Sequence, residues 1–522
     1  MDFNALWMRY GETRQYKDRW LALYKDLYFY VIPDRDAFNV KWNYRDDGKP
    51  TTSQIWDTTA MLAAYQRAND LHALLLPKDR VWGKLVLDPH LFDQEDIDAS
   101  QPIMDEVNDR ILFYINHSNL ARVISSSNLD LVGGTGAVWV ESKSDDDPLY
   151  FRSIPSVALY VEYSTDDVLN TCWYQCKMTG REVLKEFPKY KGKQISKLQG
   201  EPDKEVMVVY GQIKMDEDRF YLYAVLEIDP YTPLWEADRA YPQIIIYRDR
   251  VRPGESEGRG IGIDMLPTII DLNRIVQYDR KAQAFKAYPP MFYDDDKYFN
   301  PYSVRQWAGA MIARKPNGRN PIEALQMPNY NDTMQHILQL QDQIKIGFQI
   351  DPLGEINAPI RSATEVSIRE NRAQRTSSTD ISRLINECSK QIFYVSAKIL
   401  ADRRLLTKDR RIGSIDLRQV RFDFQSPLAD IQKNDDLSHF VTNMQIKQQF
   451  FGQGAAMATV NLPEVNKFLT DALNLKSKLF ANEEQVSKLV QLMAEMQQQA
   501  ALPSPSTSAS QVPLPRQSEV LF

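Results

Sequence analysis

The sequence predicts an α+β protein in which a block of antiparallel strands is set inside a mostly helical chain. Two observations carry that prediction. Between about residues 148 and 252 the apolar residues alternate with period two, while before and after this block they recur at three–four spacing. The regular strand–helix alternation of a doubly wound parallel sheet is missing throughout. At 522 residues the chain exceeds one compact core, and two to four domains are expected.

The first third reads as helices. "TRQYKDRWLALYKDLYFYVIP" has helical spacing up to Pro33, and "SQIWDTTAMLAAYQRANDLHALLLP" up to Pro77. In the second, Ile55, Leu62, Leu71 and Leu74 or Leu75 point toward a core. Residues 101–142 predict two helices, a turn at Gly133-Gly134, and a strand with Val138 and Val140 on one face. In the β block the strand candidates are "LYFRSIPSVALYVEY", "VLNTCWYQCKM", "EVMVVYGQIKM", "RFYLYAVLEID" and "QIIIYRDRV". "MDED" predicts a hairpin turn, and "GREVLKEF" a short helix with Thr179 as its N-cap. Helices follow at 264–287, 331–349, 363–406 and 436–451, then "LPEVNKFLTDALN" and "NEEQVSKLVQLMAEMQQQAAL". Residues 288–330 read as loop with short strands, and the stretch 363–406 has no Pro or Gly. The Pro/Ser-rich tail from 502 is low-complexity.

Hydrophobic residues make up 43% and charged residues 25%, enough to bury sizeable cores. The net charge of -7 excludes a classical basic nucleic-acid binder, though not a protein that guides DNA without gripping it. Three cysteines argue against a disulfide framework. Cys172 and Cys176 form C-x-x-x-C with no His nearby and read as buried free thiols. No apolar run reaches the roughly 18 residues of a membrane span. The N-terminus carries charges throughout, unlike a signal peptide.

"GRGIGIDMLPTIIDLNR" (258–274) places Gly258, Gly260 and Gly262 just before a predicted helix, where enzymes often cradle a phosphate. A dinucleotide fingerprint needs G-x-G-x-x-G in a βαβ unit, and neither is present. A Walker loop needs a hydroxyl after Gly-Lys, but Pro50 follows Gly48-Lys49 and Gln194 follows Gly192-Lys193. The better reading is structural. Glycines let backbones turn and approach closely, and Asp264 caps the coming helix or favours its positive end. Pro267 then falls near the third helical position, where a missing N–H costs little. The helix is amphipathic, with Leu266, Ile269, Ile270, Asn273 and Val276 or Gln277 at three–four spacing, and its second half is polar, from Gln277 to Lys286. The five histidines are scattered, with no metalloprotease motif or nucleophile elbow, so no catalysis, cofactor or metal is expected.

Several blocks in collinear order resemble the head-to-tail connecting, or portal, proteins of short-tailed bacteriophages related to T7. They are "IWDTTA" (55–60), "LLPKDRVWGKL" (75–85), "LVGGTGAVWVE" (131–141), "GRGIGIDMLPTIIDLNR", "SATEVSIRENR" (362–372) and "FQSPLADIQK" (424–433). The resemblance covers about residues 1 to 480. "GRGIGID" departs slightly, since Ser or Pro often stands where this chain has Gly260-Ile261.

The resemblance implies a portal fold and a homo-oligomeric ring, a dodecamer, at one vertex of a virion capsid, assembled in the host cytoplasm. Residues 1–263 would form a wing, helical over 1–147 and β-rich over 148–257. Residues 264–287 and 331–348 would be two antiparallel stem helices, 288–330 a small α/β clip, and 349–362 a tunnel loop. Residues 363–435 would be the wing's spine helix and return, 436–501 a helical crown, and 502–522 the tail. Double-stranded DNA would pass non-specifically through an axial channel, driven by a separate terminase. Expected partners are the terminase large subunit, tail adaptor or nozzle proteins, the major capsid and scaffolding proteins, and internal core or ejection proteins. No membrane is involved.

A conduit must not hold DNA tightly, because each neutralised phosphate adds a salt-dependent grip. Sparse cations suit that need. Lys281, Lys286, Asn357 and Arg361 are the channel candidates, and Arg314, Lys315 and Arg319 the candidates for clip contacts with terminase or adaptor. Gly258, Gly260, Gly262 and Asp264 are assigned to the structural start of the stem. The competing readings are a head–tail adaptor ring, typically a much smaller protein, and a nucleotide-dependent packaging enzyme, which the missing Walker loop disfavours.

Overall fold

A computed structural model describes residues 2–35 and 54–287, apart from gaps of one or two residues. It then describes 291–293, 322–324, 331–349, 378–406, 420–424 and scattered positions between 437 and 469. The chain divides into two compact units. One comprises Met1–Ile97 and Glu106–Pro427, the other Asp98–Asp105 and Leu428–Phe522. The second is described after residue 428 mainly along helical positions 440–447, inside the helix expected over 436–451. The features below belong to the first unit, apart from residues Asp98–Asp105 within α4.

Two helices open the chain, α1 (Phe3–Asp18) and α2 (Leu21–Val31). The expected single helix over 13–33 is therefore broken at Arg19-Trp20. The break has a packing reason. Leu6 and Tyr10 of α1 lie against a sheet face with Tyr160, Trp173, Val209 and Tyr223. Tyr24, Leu27, Tyr28 and Val31 of α2 face a separate helical core. One straight helix could not serve both. Next, α3 (Thr59–Leu75) buries Ala60, Ala63, Ala64, Ala68, Leu71 and Leu75. Leu62, expected in the core, is 61% exposed. The alanines take the inner face because the neighbouring helices approach closely.

The strand β1 (Gly83–Leu87) pairs antiparallel with β12 (Val420–Phe424), over 300 residues away. Trp82 beside β1 packs edge-on against Phe393 at 5.4 Å. Helices α4 (Gln94–His117) and α5 (Leu120–Asp130) follow as expected and lead through Gly133-Gly134 into β2 (Thr135–Glu141). Val138 and Val140 share one face of β2 by strand alternation, but both faces are buried.

The β block holds two antiparallel sheets. A three-stranded sheet has the order β3-β2-β9, with β3 at Tyr150–Ile154 and β9 at Ile244–Arg248. A five-stranded meander has β4 (Leu159–Tyr163), β5 (Leu169–Thr179), β6 (Glu205–Asp216), β7 (Arg219–Leu226) and β8 (Asp229–Arg239) in sequence order. The expected hairpin at "MDED" is present, with Asp216 opposite Arg219. β8 was not expected, because Pro230 and Pro233 interrupt its pattern. It lies at the sheet edge, and Pro233 falls where the register with β7 shifts, both places in which a strand tolerates proline. One face of the meander carries α1. The other shares a core with the smaller sheet and with α6 (Gly180–Glu186) and α7 (Ile195–Gly200). Thr179 caps α6 in a reciprocal capping box with Glu182, as its position predicts. Cys172 and Cys176 are buried free thiols on one side of β5, and burial pushes both thiol pKa values up.

The two long helices after the β block are α8 (Ile261–Ala287) and α9 (Asn331–Gly347). A side chain at Gly347, the end of α9, would strike Met265 near the start of α8, so the pair runs antiparallel. Between them, β10 (Met291–Tyr293) pairs with β11 (Ile322–Ala324), closing the ends of the expected clip segment. The remainder of that segment lies outside the described residues, as do the tunnel loop from residue 350 and residues 363–377 of the expected spine helix. The described part of the spine is α10 (Ser378–Leu384), a π-turn at Ile385–Ser389, and α11 (Lys390–Asp402). At the π-turn the Glu387 carboxylate accepts from both the backbone N–H and the guanidinium of buried Arg248, at 2.8 and 3.0 Å.

Ile344 is wholly buried between α8, α9 and α2, with Ile269, Leu272 and Phe348 in the same core. Ile344→Ala is expected to cost roughly 2–5 kcal/mol by lost contact and cavity formation. Thermal unfolding of the variant beside the parent checks this.

Candidate functional site

The junction where the β block hands over to α8 is built from two backbone segments, 131–135 and 257–262. They touch without an intervening layer of side chains. A Cβ on Gly258 would lie 2.0 Å from the Gly134 carbonyl oxygen, and one on Gly134 would lie 2.2 Å from the Gly258 oxygen. A Cβ on Gly260 would lie 2.2 Å from the Val132 oxygen, and one on Gly262 would meet Val132 Cγ1 at 2.3 Å. Real Cβ atoms do not approach that closely, so each glycine is required by space. Gly134 is required also by its φ of +107°, which other residues adopt poorly.

Hydrogen bonds fasten the contact. The Gly262 N–H donates to the Val132 carbonyl at 3.0 Å, and the Asp249 N–H to the Gly134 carbonyl at 2.8 Å. The Gly258 N–H donates to Thr135 Oγ1 at 3.0 Å, and Thr135 in turn reaches Glu257 at 3.2 Å. Glu257 is buried and pairs with the equally buried Lys17 of α1 at 2.9 Å. Lys17 Nζ also donates to the carbonyls of Ser156 and Leu159. The buried cation thus has three acceptors, which satisfies the demand a buried charge makes.

A second buried group stands behind the first. Asp130, at the end of α5, accepts from Tyr28 Oη at 2.6 Å and pairs with Arg35 at 2.8 Å. Burial nevertheless raises its pKa to about 6, with Arg35 and Tyr28 opposing the shift.

These contacts answer what the glycines do. The amides of Gly258 and Gly262 already have protein acceptors, and the space beside Gly258, Gly260 and Gly262 is filled by residues 131–134. The block fixes the direction in which α8 leaves the β block. Two details correct the expectation. The helix starts at Ile261, so Asp264 is its fourth residue; of its two expected roles it is not the cap but a first-turn carboxylate near the helix's positive end. Asp264 lies in the first turn and pairs with Arg250 at 2.9 Å. Pro267 consequently falls in the second turn, where it denies the Ile263 carbonyl its usual N–H partner. The buried face also differs, running through Ile263, Leu266, Ile269, Leu272 and Asn273, with Ile270 only half-buried.

Beyond Asn273 the helix leaves the core. Asn273 accepts from the Trp56 N–H at 2.7 Å, and Arg280 donates to the Trp56 carbonyl at 2.9 Å. Trp56 and Asp57 thereby brace α8, and Asp57 also accepts from Gln341 of α9 at 2.8 Å. Past this brace Lys281 and Lys286 are exposed, as is Tyr278. Lys281 Nζ stands 5.8 Å from the Tyr278 ring centre. Asn357, Arg361, Arg314, Lys315 and Arg319 lie outside the described residues. Sequence reasoning missed Lys17, Glu257 and Thr135. Lys17 had a signal: it stands seven residues after Tyr10, on the apolar side of α1.

The chain matches the family described as bacteriophage head to tail connecting protein over residues 4–480. That match spans most of its length, and the chain belongs to this family. A comparison with curated protein sequences gives no match. Among solved structures, a chain from the virion of a native gene transfer agent particle aligns at 9% identity with a TM-score of 0.34. The alignment covers 80% of this chain and 94% of that one. A chain from the neck of an empty gene transfer agent particle computed with C6 symmetry aligns at 8% identity and TM-score 0.32, covering 78% and 92%. Both superpositions are loose. Among the described residues no helix is long and apolar enough to cross a membrane.

Gly260→Ala is expected to cost about 3 kcal/mol or to abolish soluble expression, because its Cβ meets rigid backbone. Gly200→Ala, with nothing within 4 Å, is expected to be neutral. Melting temperatures of the two variants check the contrast.

Asp130 makes a pH prediction. Its folded pKa of about 6 lies above the ordinary 3.8, so between about pH 4 and 6 the folded state holds a proton that the unfolded chain releases. Its contribution to stability therefore falls as pH rises through that window. Relative to Asp130→Asn, the parent is expected to lose stability from pH 4.5 to 6.5, measured by denaturant unfolding at both values.

Proposed function

We propose that the protein is the portal of a short-tailed bacteriophage, a ring that conducts double-stranded DNA into the capsid and out again without catalysing any reaction. The single observation that carries this reading is the membership of residues 4–480 in the head-to-tail connecting family. The shape of α8 and α9 supports it. Their adjoining halves, the first of α8 and the last of α9, are anchored in a core with α2, while Tyr278, Met334 and Leu338 further out are 63%, 61% and 49% exposed. Apolar side chains left open on paired helices call for a neighbouring copy, and a closed ring supplies one for every subunit. In this reading the ring is a dodecamer in the virion.

Terminase and then a tail adaptor dock on the segment 288–330, and the capsid surrounds the β-rich wing. Lys281 and Lys286, exposed on the outer half of α8, face the DNA. Two cations per subunit spread around a ring give weak, sequence-blind contact that lets the duplex slide. Arg361 and Asn357 are placed near the channel and Arg314, Lys315 and Arg319 on the docking surface by the same proposal.

Lys281→Glu with Lys286→Glu is expected to leave ring assembly intact by negative-stain electron microscopy and to lower the DNA packaged per particle at least tenfold. Normal packaging by that variant would remove both lysines from the channel.

A further inference from the structure

The module formed by α6, α7 and the loop between them carries a charge that the axial channel does not use. From Gly180 to Lys204 it has seven basic residues against four acidic ones, in a chain whose net charge is -7. The acids are largely occupied at home. Glu182 closes the capping box with Thr179, Glu201 pairs with Lys204 at 2.7 Å, and Asp203 pairs with Arg181 at 3.0 Å. The remaining cations, Lys185, Lys189, Lys191, Lys193 and Lys197, are all exposed. Among the described residues none of these five makes an ion pair.

The scaffold beneath them is preformed. Val183, Phe187, Tyr190 and Leu198 are buried in the core shared with the two sheets. Gly192 lets the loop pass over Tyr190, since a Cβ there would lie 2.2 Å from the phenol oxygen. The Tyr190 N–H donates to Phe187 and the Ile195 N–H to Gly192, each at 3.1 Å. Five lysines within residues 185–197 are thus carried on one folded module, with Glu186 as the one acid among them.

The chemistry of the patch discriminates between partners. Protein interfaces favour Arg, Tyr and Trp around an apolar centre and are depleted in Lys. Here every unpaired cation is Lys, and among the described residues no large exposed apolar side chain lies between Val168 and Met215. Flexible ammonium groups without an apolar anchor suit a diffuse polyanion, bound by counterion release. We infer that this lysine face is a second, non-specific docking surface for the phosphate backbone of double-stranded DNA, separate from the axial channel. The inference takes the ring and its channel from the proposed function but not the role of Lys281 and Lys286, and the variant at those two positions separates the failure of one from the failure of the other.

A covalently closed, relaxed circular duplex tests this, because it cannot be threaded through a closed ring and reports only on outer surfaces. Full-length protein is titrated with the circle at several salt concentrations. The parent is compared with a variant carrying Lys→Gln at 185, 189, 191, 193 and 197, with one carrying Lys→Arg at the same positions, and with the Lys281→Glu, Lys286→Glu variant. Five phosphate contacts correspond to a slope of log K against log salt of about -4.5. The Gln variant is expected to bind at least tenfold more weakly, with a slope shallower by about 4.5. The Arg variant and the Lys281/Lys286 variant are expected to keep the parent's slope. Equal binding by the parent and the Gln variant would overturn the inference, as would failure of the parent to bind the circle. Selective loss of poly-glutamate binding, with DNA binding unchanged, would assign the face to an acidic protein instead.

Discussion

Two stretches of backbone, 131–134 and 258–262, lie against each other, backbone to backbone at Gly134, Gly258 and Gly260 and against the Val132 side chain at Gly262, and the direction of α8 depends on that contact. Glycine is needed at both sides of the seam. Cβ atoms at Gly134, Gly258 or Gly260 would sit at 2.0 to 2.5 Å from opposing backbone atoms. Because the contact is backbone to backbone, it has no side-chain rotamers through which to relax. The first turn of α8 is bonded to this seam through Gly262, and the rest of the helix inherits its orientation. The glycine block that suggests a nucleotide site is therefore a joint. Its amides hold the protein's own carbonyl and hydroxyl oxygens.

The charges are arranged on the same logic of fixed interior and free exterior. Lys17 and Glu257 stitch α1 to the joint from inside, with every strong contact satisfied by named partners. Arg248 ties in the spine through one guanidinium nitrogen, Nη2, which lies 3.0 Å from both Glu387 and Asp167, and it stacks under Tyr163 at 3.6 Å. Charges outside this interior sort differently. Lys281 and Lys286 on the outer half of α8, and the five lysines at 185–197 in the α6–α7 module, are exposed instead of buried in such pairs.

Much of this was legible in the sequence. The α+β class, the antiparallel block, its hairpin at 216–219 and the Thr179 cap all follow from local periodicity and turn chemistry. The structural role of Gly258, Gly260 and Gly262 was legible too, because the spacing excluded the phosphate motifs. What the sequence hid was non-local. The strand at 83–87 gains its identity only from residues 420–424, and β8 is masked by prolines that an edge strand tolerates. The start of α8 at Ile261 was also hidden, since glycine at a helix's first turn contradicts its local preference and is imposed by close packing. Leu62 shows the converse, an apolar residue at core spacing displaced outward because the closest helix contacts use alanine.

The central claim is that these joints build one subunit of a ring whose axis is lined by the outer half of α8. An electron cryo-microscopy reconstruction of the purified full-length protein tests it most directly. The account predicts a closed ring with an open axial hole, Tyr278, Met334 and Leu338 covered by neighbouring copies, and Lys281 and Lys286 facing the hole. A monomer at every salt concentration, or a ring in which α8 lies on the outer wall, would contradict it.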